Sequence, residues 1–83
     1  MEFHIIKAQY IKDFVIRIYF QDGSQGEIDF AHEFDGEIYE PLQNIHYFKQ
    51  FQLKGNTLFW ENGADFAPEY LYKKINASIK IGR

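Results

Sequence analysis

Trp60-Glu61-Asn62-Gly63-Ala64-Asp65-Phe66-Ala67-Pro68-Glu69-Tyr70-Leu71-Tyr72 is the stretch from which the rest of the chain can be placed. It holds the only tryptophan. Asn62 and Gly63 both tolerate positive φ, so the pair marks a turn. Pro68 suits the first position of a helix, where its missing N–H costs nothing and its ring sets a helical φ. Glu69 then lies in the first turn, at the positive end of the helix dipole. Leu71, Ile75 and Ile79 recur every fourth residue, the spacing of one helix face. The stretch thus divides the chain into strands before it and a helix after it.

Upstream, residues 57–61 read as a strand with Leu58 and Trp60 on one face, turned by Gly55-Asn56 from a partner at 51–54. Pro41 can start a helical turn, and Leu42, Ile45 and Phe48 follow at helical spacing, which predicts a short helix over 41–48. Residues 31–40 carry Phe34, Ile38 and Tyr39. That is too apolar for a free loop, and a 3₁₀ or irregular crossing of the sheet edge is expected. The first thirty residues read as a three-stranded meander at 3–10, 13–20 and 26–30. In the second strand Phe14, Ile16, Ile18 and Phe20 share one face, and Val15, Arg17 and Tyr19 the other. Asp22-Gly23 is a strong hairpin signal. The first strand alternates poorly. The expected fold is α+β, a single domain over 1–83. It has one antiparallel sheet of about five strands (meander plus hairpin), a short middle helix and a C-terminal helix packed on one face. Trp60 is expected to anchor the core beneath that last helix, with Arg17, Tyr19, Glu27 and Asp29 on the opposite face.

A chain of 83 residues buries only roughly 60–65% of the surface its unfolded form exposes. Its 19% aromatic content compensates, because each ring buries a large area. Cysteine is absent, which excludes disulfides, thiolate catalysis and Cys-ligated zinc. Residues 1–7 lack the basic start and apolar run of a secretory signal. No stretch approaches the about 20 apolar residues of a membrane span. A cytoplasmic location without membrane association is expected. The net charge of −3 is no match for a phosphate backbone, and nucleic acid is not expected as a partner. Between Arg17 and Lys49 there is no Lys or Arg, while Asp22, Glu27, Asp29, Glu33, Asp35, Glu37 and Glu40 all fall there. The plain reading is a solvated acidic face. The sharper one is a docking face at Glu33, Asp35 and Glu37 for a basic partner.

Three pieces carry a resemblance. Phe14 to Phe20 leads into Asp22-Gly23 and then Gly26-Glu27-Ile28-Asp29-Phe30; Tyr39-Glu40-Pro41-Leu42 is followed by Phe48; and the third piece is Trp60-x-Asn62-Gly63-Ala64-Asp65-Phe66-x-Pro68-Glu69-x-Leu71-Tyr72. Together they resemble the small bacterial family catalogued as domain of unknown function 2442. The resemblance implies a compact α+β domain. It also implies, in some members, an appended helix-turn-helix; ending at Arg83, this chain is expected to be a short member without one. Many members look like halves of two-gene, toxin–antitoxin-like cassettes, which implies a protein partner and brings no catalytic residues.

The signature residues Trp60, Asn62, Gly63, Asp65, Pro68, Glu69 and Tyr72 each admit a structural and a functional reading. Asp65 and Glu69, four apart, could act as acid and base of a small hydrolase or metal-dependent enzyme with a histidine brought near; the plainer roles are helix capping and dipole stabilisation. Asn62-Gly63 could shape a ligand loop, or simply be the turn. Trp60, with Tyr70 and Tyr72, could stack single-stranded nucleic acid; as core residues they could not. His4, His32 and His46 are not spaced as a zinc pair, and only His32 with Glu33 and Asp35 offers a weak metal grouping. Neither Ser24 nor Ser78 has the neighbours of a catalytic triad. No cofactor, no resident metal and no assignable catalytic residue are expected. The favoured expectation is a non-enzymatic interaction module whose partner is another protein or a second copy.

Overall fold

The computed structural model describes residues 3–81, with side chains through Asn76. The architecture is α+β. β1 (Ile5–Lys12), β2 (Val15–Phe20) and β3 (Gln25–Asp29) form an antiparallel meander in that order. Along β2 the pleat alternates as the sequence does: Ile16, Ile18 and Phe20 are buried, and Val15, Arg17 and Tyr19 are half-exposed. Arg17 bridges to β3, donating to Gln25 Oε1 at 2.9 Å and meeting Glu27 Oε2 at 3.3 Å. The poor alternation of β1 has a physical cause. Its register slips between Ile5 and Lys7 and again between Tyr10 and Lys12. Each β-bulge inserts a residue and resets the parity. Ile5, Ala8 and Tyr10 reach the core, and the inserted Ile6 and Ile11 are exposed.

Four residues, Gln21-Asp22-Gly23-Ser24, join β2 to β3. Phe20 N–H donates to Ser24 O at 2.8 Å and Gly23 N–H to Phe20 O at 3.0 Å, with Gly23 at φ 94°. The Asp22 carboxylate accepts the Ser24 N–H at 2.9 Å, an Asx turn that fixes the loop.

The expected single five-stranded sheet is instead two three-stranded sheets. β4 (Gln52–Lys54), β5 (Thr57–Phe59) and β6 (Asp65–Phe66) form the second, again an antiparallel meander. Gly55 and Asn56, at φ 61° and 65°, make the tight turn between β4 and β5. The extra strand exists because Asn62-Gly63 does not end the hairpin but starts another. Trp60 N–H donates to Ala64 O at 2.8 Å and Gly63 N–H to Trp60 O at 3.0 Å. The Asn62 side-chain oxygen accepts the Ala64 N–H at 3.0 Å. This is the geometry of the Asp22-Gly23 loop repeated. The sheets meet where Ile5 N–H donates to Asn56 O at 3.4 Å.

The helix expected over 41–48 is split. A 3₁₀ helix runs Glu37–Gln43, with Pro41 inside it rather than at its start, and α1 occupies Ile45–Phe48. Asn44 separates them in an extended conformation, and its side chain caps α1 by accepting His46 N–H at 2.9 Å. The last helix, α2 (Pro68–Ile81), starts at Pro68 as expected and buries Leu71 and Ile75; the Ile79 side chain lies outside the described residues. α2 crosses β3 at Gly26, where a Cβ would sit 2.9 Å from Ile75 Cγ2. Glycine is required there because the helix comes this close.

One apolar cluster links both sheets and all the helices, from Ile5, Ile16 and Phe30 through Leu42 and Phe48 to Trp60 and Leu71. Trp60 is its largest member. The rings packed on it are Phe48, Phe51 and Phe66, and it shares the cluster with Leu71 and Ile75 of α2, the helix beneath which it is expected.

Candidate functional site

The signature stretch builds outward from Trp60. The ring is only 1% exposed, and its Nε1–H donates to Phe48 O at 2.9 Å. The indole face therefore has no access to a base or a sugar. Asn62 is the connecting residue. Its backbone N–H donates to the Tyr47 phenol oxygen at 3.0 Å, and its Nδ2 donates to Ile38 O at 2.9 Å. Gly63, at φ 98°, has no side chain to meet Ile38 Cδ1, which lies 3.7 Å from where a Cβ would stand. Asp65 contributes its carbonyl, which accepts the Tyr39 hydroxyl at 2.9 Å. The Tyr39 ring stacks on Phe66 at 5.1 Å. Burial, and then the Asp65 charge, push the Tyr39 phenol above its ordinary pKa, so it stays a hydrogen-bond donor. Two signature residues, Asn62 and Asp65, thus converge on Ile38 and Tyr39 and fix the 3₁₀ helix against the second hairpin.

Asp65 and Glu69 lie on different elements. Asp65 belongs to β6, outside the helix, and Glu69 to the first turn of α2; both are exposed. The Asp65 carboxylate makes no hydrogen bond among the described residues, so it is not the cap of α2. A shallow depression of about 260 Å³ is lined by Lys54, Thr57, Phe59, Gly63 and Asp65 and does not include Glu69. No group of three or more metal-ligating side chains occurs among the described residues, and His32 is exposed.

Glu33 belongs to the packing of the helix more than to an open acidic face. Its carboxylate lies 2.7 Å from Lys74 Nζ and accepts the Tyr70 hydroxyl. Burial, the largest influence, pushes this carboxyl up. The hydrogen bonds from Lys74 and Tyr70 outweigh it and hold the group below its ordinary value. The same contacts raise Lys74 and Tyr70, in each case chiefly through the hydrogen bond to Glu33. Tyr72 works similarly at the other hairpin: its hydroxyl donates to Asp22 at 2.7 Å, and its ring packs on Phe3 and Phe20. That bond first, and then the Ser24 N–H, keep the Asp22 carboxyl low. Of the three aromatic rings that could stack nucleic acid, only Tyr70, 43% exposed, remains open.

Asp35, Glu37 and Glu40 are exposed. Between them stands Ile38, 46% exposed although its carbonyl is held by the hairpin. Neither Ile38 nor Tyr47 is conspicuous in sequence. Tyr39 precedes Pro41 in the resembling middle piece, which was the available sign that this segment and the Trp60 stretch belong together.

The family model described as "Protein of unknown function (DUF2442)" matches residues 5–77. The chain belongs to this family. The match covers both sheets, the 3₁₀ helix, α1 and α2 as far as Ala77. Among curated proteins and among solved structures, none matches. No helix among the described residues is long and apolar enough to cross a membrane. The description of DUF2442 assigns no activity.

Proposed function

We propose that the chain is a non-enzymatic protein-interaction module, acting in the cytoplasm, whose working surface is the acidic segment 35–40. The observation that supports this is how the segment is held. The 3₁₀ helix is pinned by Asn62 to Ile38 O, by Tyr39 to Asp65 O and by the fully buried Leu42, while Asp35, Glu37, Ile38 and Glu40 point outward. A surface ordered in advance loses less entropy on binding than a free loop. Its charge favours a basic protein and repels acidic ones. The family resemblance adds a source for that partner, the other product of a two-gene, toxin–antitoxin-like cassette. The sheet edge is the weaker candidate surface. β1 carries two bulges with Lys7 and Lys12 along it, devices that block pairing with another strand.

The test is a paired affinity capture from the native cell, using the wild-type chain and an Asp35→Lys/Glu37→Lys variant of equal melting temperature. One stoichiometric protein held by the wild type and lost by the variant is expected. Equal recovery by both baits, or recovery of only nucleic acid or a small molecule, would defeat the proposal.

A further inference from the structure

We infer that the partner of this surface presents a basic segment in which an arginine or lysine stands beside an apolar residue. The cation enters the cleft between α1 and the Trp60–Ala64 hairpin, and the apolar residue rests on Ile38. This rests on the interaction-module reading and specifies its partner. The cleft, about 230 Å³, is lined by Tyr47, Gln50, Glu61 and Asn62. That volume suits one side chain and is smaller than the roughly 300–1,000 Å³ of small-molecule sites. Its groups suit a cation. Glu61 supplies a carboxylate. Gln50 donates its Nε2 to His46 O at 3.1 Å, which leaves its amide oxygen as an acceptor. Tyr47 lines the same cleft, its hydroxyl oxygen accepting the Asn62 N–H. A guanidinium matches a carboxylate with two parallel hydrogen bonds. Among the described residues no cationic side chain lines this cleft, whereas Lys54 lines the neighbouring depression and opposes a cation there.

Ile38 and the cleft are tied by one residue. Asn62 lines the cleft, holds the Ile38 carbonyl at 2.9 Å, and receives the Tyr47 oxygen on its N–H at 3.0 Å. Asn62 therefore ties the backbone beneath the apolar contact to the wall of the charged cleft, and pairing the two is what selects one basic sequence over others of equal charge.

The probe is a synthetic peptide of alternating arginine and leucine, titrated into the ¹⁵N-labelled chain, beside an arginine/serine peptide of equal charge. Shift changes are expected at residues 38, 47, 50, 61 and 62. Affinity should fall at least tenfold in Glu61→Gln and in Ile38→Ser, both folded as the wild type. Equal binding of the serine peptide, or wild-type affinity in either variant, overturns the inference. If Asp35→Lys/Glu37→Lys still weakens binding in that case, the acidic-segment reading survives alone; if it has no effect, both fail. Shifts at these residues that grow with protein concentration and need no peptide would assign the surface to a second copy and also overturn the inference.

Discussion

Trp60 is the largest side chain fully buried in the core. Its indole fills the space between Phe48, Phe51 and Phe66, and its N–H satisfies the Phe48 carbonyl. Trp60→Ala should cost about 3–5 kcal/mol, most of what a domain this small has. Trp60→Phe should cost less, about 1–3 kcal/mol, chiefly because the Phe48 carbonyl is left buried and unpaired. Urea denaturation measures both, and a near-wild-type midpoint for Trp60→Ala would show the ring is not core. Gly26 is the converse case, a residue defined by what it lacks. Gly26→Ala drives a methyl into Ile75 and should cost about 1–3 kcal/mol. Since the clash is with that one side chain, the double variant with Ile75→Ala should cost less than the sum of the singles. Simple additivity would place the strain elsewhere.

At the scale of the element, α2 is held by its apolar stripe and by two carboxylates from outside the helix, Asp22 on Tyr72 and Glu33 on Tyr70 and Lys74. Both carboxyls titrate lower in the folded chain than unfolded. The unfolded chain therefore takes up protons first as pH falls. The stability these groups contribute is fully present above their ordinary range, about pH 4, and is lost as pH drops through the lowered native values. Lys74 is raised, so its contribution is present below about pH 10.4 and is lost only as pH rises through its native value. Glu33→Gln should therefore lower stability at pH 7 by about 1 kcal/mol and flatten the acid limb of the stability curve. An acid limb as steep as that of the wild type would show that Glu33 contributes nothing there. Glu33→Lys sets two cations together and should loosen the helix, which separates Glu33 from the free acidic residues Asp35 and Glu37.

At the scale of the molecule, what could be read in the sequence was local. Asp22-Gly23, Asn62-Gly63, Pro68 and the Leu71/Ile75 spacing mark turns and a helix through backbone chemistry confined to a few residues, and each is where it was expected. The division into two sheets was not legible. β6 is two residues long, too short for alternation to show, and the bulges of β1 erase its pattern. The division of the middle helix at Asn44 follows from a cap that a Pro41-first reading passes over. The site was half legible. The signature residues stood out, but their common target, Ile38 and Tyr39, lies more than twenty residues upstream, and only folding brings it near. The signature acts as a scaffold that holds segment 37–43 in place. Asn62→Asp is the test, because the variant keeps an oxygen to cap Ala64 N–H and replaces the donor to Ile38 O with a charged acceptor that repels that carbonyl. Hydrogen exchange should quicken at the Tyr39 and Asn44 amides, which close the 3₁₀ helix, with Ala64 and the β2 amides unchanged. Wild-type protection across 37–44 would contradict it.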